Sequence, residues 1–182
     1  YEIAGKSAGA DFQQLMQQLT DGAQASYEGR LDAALRVSGL MGPGQGSTAA
    51  GEGTLAIRDG RLFQIPLFGE FSRFLNSLYP GLGFAQQSGF KSSFRIANGR
   101  VSTDEAELQG ELVTMRGRGS YHFDERLDFA IEAKLLRGGA VAELFRLLTL
   151  PLTKLFEFDL VGTLRRPEWR PHNLPEGLWR ML

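Results

Sequence analysis

The chain has 182 residues, and 20 basic against 21 acidic side chains give it a formal charge of −1. That balance, with no basic block, excludes a nucleic-acid surface, which is built from clustered Lys and Arg. With no cysteine there are no disulfides, thiol nucleophiles or thiolate metal sites, and His122 and His172 are too few for a histidine-ligated metal.

The opening Tyr1-Glu2-Ile3-Ala4 reads as a strand. Asp11 and Gln14 then form a capping box, and Phe12, Leu15, Met16 and Leu19 recur at helical spacing on one apolar stripe. From Leu31 the period becomes two, with Leu31, Ala33, Leu35 and Val37 facing one way and Asp32, Ala34, Arg36 and Ser38 the other. Six glycines from Gly39 to Gly53, with Pro43, predict a loop that interrupts the sheet.

Asp59-Gly60 and Asn98-Gly99 are dipeptides suited to type I′ turns, whose twist matches that of the strands they join. Two-residue turns there would pair Ile57 with Leu62 and Ile96 with Val101, in two similar hairpins 39 residues apart. Between them Ile65-Pro66-Leu67-Phe68 opens a second helix, with a stripe of Phe71, Phe74, Leu75 and Leu78 that stops at Tyr79-Pro80-Gly81. Leu127, Phe129, Ile131, Ala133 and Leu135 alternate with polar residues, as do Phe156, Phe158, Leu160, Gly162 and Leu164. A third amphipathic helix, carrying Val141, Leu144, Phe145 and Leu148, lies between these strands and ends near Pro151.

Many strands with short turns predict an α+β domain, mostly antiparallel β: a curved meander of hairpins with about three inserted amphipathic helices. Residues 1–182 read as a single domain, and the start at Tyr1 inside strand-like sequence gives the expectation of a fragment cut from a longer chain. The longest uncharged stretch, Phe74 to Phe90, holds Asn76, Pro80, Gln86 and Gln87, where about 20 mostly apolar residues are needed to span a bilayer.

Candidate chemistry is sparse. Gly5-Lys6-Ser7-Ala8-Gly9 satisfies the G-x-S-x-G pattern of a nucleophile elbow, which makes a serine hydrolase using Ser7 a remote alternative. Only four residues precede it and hairpins follow, whereas such hydrolases need parallel βα units. Gly42, Gly44 and Gly46 lack the strand-to-helix junction of a phosphate loop. His122 with Asp124, Glu125 and Asp128, like Asp104, Glu105 and Glu107, reads as solvated polar turn or strand edge. No metal, cofactor or catalytic residue is expected.

Three stretches carry a resemblance: Gly51 to Asn76, with an Asp-Gly turn running into Ile-Pro-Leu-Phe-Gly; Phe94 to Tyr121; and Leu147 to Pro175, which closes on Gly-Thr-Leu and Pro-Glu-Trp-Arg-Pro. Taken in order, over about residues 26–175, they resemble the C-terminal region of the AsmA-like envelope proteins of the TamB and YhdP type. The resemblance implies a periplasmic protein, anchored in the inner membrane by an N-terminal segment absent from this chain. Its long β-sheet would carry phospholipid in an apolar trough without catalysis, serving lipid transport and outer-membrane homeostasis. This chain would be a terminal segment whose oily sheet face lines or caps the groove. Acyl chains would meet Leu127, Phe129, Ile131, Phe156, Phe158 and Leu160, and also Ile57, Leu62, Phe94 and Ile96. A helix such as Val141 to Leu148 would cap the trough end or lie on a membrane surface. The alternative is a structural module, binding no lipid, that docks on another envelope protein through an exposed strand edge or the Pro167–Pro171 tail.

Overall fold

The computed structural model describes residues 1–14, 28–40, 48–78, 88–111, 113–135 and 155–172. They form one open sheet of nine strands in chain order: β1 (Glu2–Asp11), β2 (Arg30–Ser38), β3 (Ala50–Gly60), β4 (Ser88–Ala97), β5 (Arg100–Gly110), β6 (Val113–His122), β7 (Arg126–Leu135), β8 (Leu155–Thr163) and β9 (Arg166–Pro171). Every adjacent pair is antiparallel. The predicted, mostly antiparallel meander is therefore observed, but about three inserted helices are expected and fewer are seen among the described residues. Among the described residues the regular helix is α1 (Gly69–Leu78), led by 3₁₀ turns at Leu62–Gln64 and Pro66–Phe68. A helical start is seen at Phe12–Gln14, where the Asp11 carboxylate accepts the Gln13 amide at 2.8 Å. The rest of that expected helix, and all of the one around Val141–Leu148, lie outside the described residues.

Alternation sets the two faces. Register places Leu31 beside Ile57, Ile57 beside Phe90, Phe90 beside Leu108 and Leu108 beside Met115. The same face continues through Met115–Ala133 and Ala133–Phe156. Because side chains alternate with a period of two, one register error would turn this whole set outward, so burial of the set fixes the pairing. Asn98-Gly99 makes the expected tight turn, with φ of 52° and 70°, and Ile96 faces Val101.

Three local expectations are corrected. Asp59-Gly60 is not a hairpin turn, and Ile57 faces Phe90 and Leu31 rather than Leu62. Asp59, at φ 53°, lies in a bulge in which Arg58 and Asp59 oppose Gly89 alone. The chain then rises over the apolar face, because Leu62 and Phe63 are better buried there than on a returning strand. Ser88 secures this exit: its hydroxyl donates to the Gly60 carbonyl at 3.2 Å and accepts the Leu62 amide at 3.1 Å. Second, Gly51 and Gly53 belong to β3 and not to the preceding loop; residues 41–47 lie outside the description. A Cβ on Gly53 would come within 2.5 Å of the Phe94 ring, so this glycine serves close cross-strand packing. Third, Gly5-Lys6-Ser7-Ala8-Gly9 lies inside β1, where Ser7 pairs with Ala33; it is extended strand, not the sharp strand-to-helix turn of an elbow.

Helix α1 follows β3 in the chain, yet it packs on the far edge of the sheet. Phe71 meets Phe158 edge-to-face at 5.4 Å and Trp169 at 5.1 Å, and Phe74 meets Phe156 and Phe158. Trp169, 3% exposed, donates its indole N–H to the Leu67 carbonyl at 2.9 Å and its backbone N–H to a Glu70 carboxylate oxygen at 3.0 Å. The Pro-Glu-Trp-Arg-Pro run is thus strand β9, locked under the helix, and not a free tail. Phe71→Ala should cost about 3–5 kcal/mol, the usual loss for a buried phenylalanine; urea unfolding followed by circular dichroism measures it.

Candidate functional site

The apolar face is divided along the strands. At one end the chain connections β1–β2, β3–β4 and β7–β8 are long, and α1 with its 3₁₀ lead-in lies over the sheet. At the other end β4–β5, β6–β7 and β8–β9 turn within two or three residues, while residues 39–49 join β2 to β3 there. The large apolar residues that remain exposed among the described ones are Tyr1, Ile3, Leu35, Leu40, Phe123 and Leu164. All six lie toward the turn end: Tyr1 and Ile3 at the start of β1, Leu35 and Leu40 in and after the last part of β2, and Phe123 and Leu164 in the turns before β7 and β9. Their exposure runs from 37% at Leu35 to 65% at Leu40, and they stand in two groups, one at β1–β2 and one at the β6–β7 and β8–β9 turns, with strands β3–β5 between them.

The residues expected to touch acyl chains fall into two groups. Leu127, Ile131, Phe156, Phe158, Leu160, Ile57 and Leu62 are all buried and belong to the core cluster with Phe71, Phe74 and Trp169. Phe94, Ile96 and Phe129 are half-buried. Phe94 lies over Gly53 and Phe129 over Gly119, so each ring covers a cross-strand glycine, and Phe129 also packs against the core cluster. Ile96 faces Gly51 on one neighbouring strand and Val101 on the other. The structure brings the first group together as a packed interior, against which Phe129 also packs, and leaves Phe94 and Ile96 half-buried toward the turn end of β4. Sequence reasoning missed the rim itself; Phe123 and Leu164, apolar residues at polar turns, were its visible signal.

The opposite face is charged and concave. It lines a cavity of about 1250 Å³ whose wall includes Lys6, Asp32, Lys91, Glu107, Arg116 and Glu132. Opposite charges stand beside one another across the strands: Lys91 faces Glu107, Glu107 faces Arg116, and Arg116 faces Glu132. Lys91 Nζ lies 2.7 Å from Glu107, Arg58 2.6 Å from Asp32, Arg95 2.7 Å from Asp104, and His172 Nε2 2.6 Å from Asp159. These pairs satisfy one another, which suits a solvated wall better than a site awaiting an ion. Among the described residues no group of three or more His, Asp or Glu is placed to hold a metal. No helix described is long and apolar enough to cross a membrane.

No family model, curated protein or solved structure matches the chain.

The Lys91 hydrogen bond, helped by Gln109, holds the Glu107 carboxyl below its ordinary value of 4.5. A lowered folded pKa means that the pair stabilises the protein above the unfolded value and loses its effect as pH falls through the folded one. Lys91→Met should therefore raise the Glu107 pKa, as read from carbon-detected NMR titration. Gly53→Ala, which pushes a methyl into the Phe94 ring, should cost about 1–3 kcal/mol in the same unfolding assay.

Proposed function

We propose that this chain is a non-enzymatic, lipid-contacting unit of the bacterial envelope, the terminal segment of a periplasmic bridge along which phospholipid moves. The observation that carries the reading is the uneven cover of the apolar face: a part packed under α1, and half-buried Phe94 and Ile96 with exposed Ile3, Leu35 and Leu40 toward the β1–β2 side and Phe123 and Leu164 at the turns before β7 and β9. The resemblance to AsmA-like C-terminal regions supports the same reading, since their apolar sheet face is the lipid path.

In this arrangement the buried phenylalanines stop the path, and Phe94, Ile96, Phe129 and the rim receive acyl chains. Covering one leucine-sized side chain contributes about 1.5–3 kcal/mol, so a few rim residues suffice for measurable binding. The charged concave face stays in water and keeps the unit from lying flat in a bilayer.

Native mass spectrometry of the purified protein should show co-purified phospholipid. The double variant Phe123→Asp with Leu164→Asp should lower retention on phosphatidylethanolamine and phosphatidylglycerol vesicles by at least about tenfold, with Tm unchanged because both side chains are already exposed. Retention equal to that of the parent protein would sink the proposal.

A further inference from the structure

Three hairpin turns are tied side by side at one end of the sheet. The Phe123 amide of the β6–β7 turn donates to the Gly99 carbonyl of the β4–β5 turn at 2.8 Å, and Glu125 lies 4.0 Å from Arg165 of the β8–β9 turn. Two of the turns are also closed on themselves: the Glu125 amide donates to the His122 carbonyl at 2.9 Å, and the Arg166 amide donates to the Thr163 hydroxyl at 3.1 Å. Phe123 and Leu164 stand in neighbouring turns, 45% and 46% exposed, and neither joins the core cluster. Turns are ordinarily made of polar residues, glycine or proline, so an apolar side chain at each of two adjoining turns calls for an occupant.

The charges of this tip are unbalanced. It carries Arg100, Arg126, Arg165 and Arg166 against Asp124 and Glu125, a local surplus of positive charge in a chain whose total is −1. Asp124 is engaged by Arg126 at 2.8 Å, and Glu125 meets Arg165 only at the limit of an ion pair. Arg100 and Arg166 are exposed and have no acidic partner among the described residues, unlike Arg58, Lys91 and Arg95, each of which is paired with a carboxylate.

The β9 edge beside the tip offers little to a protein strand. The His172 amide donates to the Glu157 carbonyl, so by alternation Pro167, Trp169 and Pro171 turn to the open side. The prolines have no N–H and Trp169 gives its own to Glu70, which closes the edge to a further strand.

We infer, on the premise of the lipid contact proposed above, that the tip of three turns seats this unit on a bilayer carrying anionic phospholipid. Phe123 and Leu164 enter the boundary between headgroups and acyl chains, and Arg100, Arg165 and Arg166 meet lipid phosphate. Apolar tips alone would seat equally well on a neutral bilayer, whereas arginines without acidic partners beside them favour a negative one. Because hydrogen bonds already hold the three turns together, little ordering cost remains to be met on contact.

Co-sedimentation of the 182-residue chain with vesicles tests this. Retention should rise by about tenfold when about a quarter of the phosphatidylcholine is replaced by phosphatidylglycerol, and the gain should vanish at high salt. Arg100→Gln with Arg166→Gln should remove most of the gain, and Arg100→Lys with Arg166→Lys should keep it. Arg73→Gln with Arg118→Gln removes the same charge from exposed sites away from the tip and should leave the gain in place. The lipid contact itself is read separately on pure phosphatidylcholine, where Phe123→Ser with Leu164→Ser should lower retention. No gain from phosphatidylglycerol, or an equal effect of the two glutamine pairs, overturns the inference and leaves the lipid contact standing. Retention indifferent both to headgroup and to the serine pair overturns the two together.

Discussion

The contact on which the structure depends is the seating of Trp169 under α1. An open nine-stranded sheet leaves one oily face and two edges exposed, and this residue deals with part of both. Its ring fills the space between Phe71, Phe68 and Phe158, while its two N–H groups are taken by Glu70 and Leu67. A helix that follows the third strand is thereby held against the ninth, about a hundred residues later in the chain. Burying an indole without partners for its donors would be costly, so the Glu70 carboxylate and the Leu67 carbonyl are as necessary to the seating as the rings.

This contact also explains why the apolar face is used unevenly. A ten-residue helix is about 15 Å long and cannot cover a sheet of nine strands. Fixed at β8 and β9 and returning to β4, it protects the end of the face where the long connections meet. Among the described residues the other end has only its own side chains over it, and there the sheet uses glycine beneath phenylalanine: Phe94 over Gly53 and Phe129 over Gly119. These pairs supply some burial without a second layer. The result is a face packed under α1 and half-open at Phe94 and Ile96, with Leu127 still buried beside the turn before β7; the half-open part is what the lipid reading rests on.

Much of the sheet was legible because alternation is a strong signal where one side is buried and the other wet. β2, β7 and β8 follow the expected residues, and Asn98-Gly99 forms the turn its two positive φ values require. Asp59-Gly60 carries the same local chemistry and does something else, because Leu62, Phe63 and Phe71 find a better burial place over the sheet than beside it. Turn chemistry is local and that choice is not. Gly51 and Gly53 were taken for loop residues since glycine marks a turn and a close cross-strand contact equally well. The alternation of Pro167, Trp169 and Pro171 was an available sign of an edge strand, but the partner of Trp169 is Glu70, and nothing near either residue in the chain announces the other.

Nine is an odd number, and in a meander this makes the first and last strands run in the same direction. Copies stacked by simple translation would have to join β9 to β1 as a parallel ladder, the weaker kind, against a border whose amides are absent or already engaged. Indefinite growth of the sheet into a fibre is therefore blocked by parity as well as by proline.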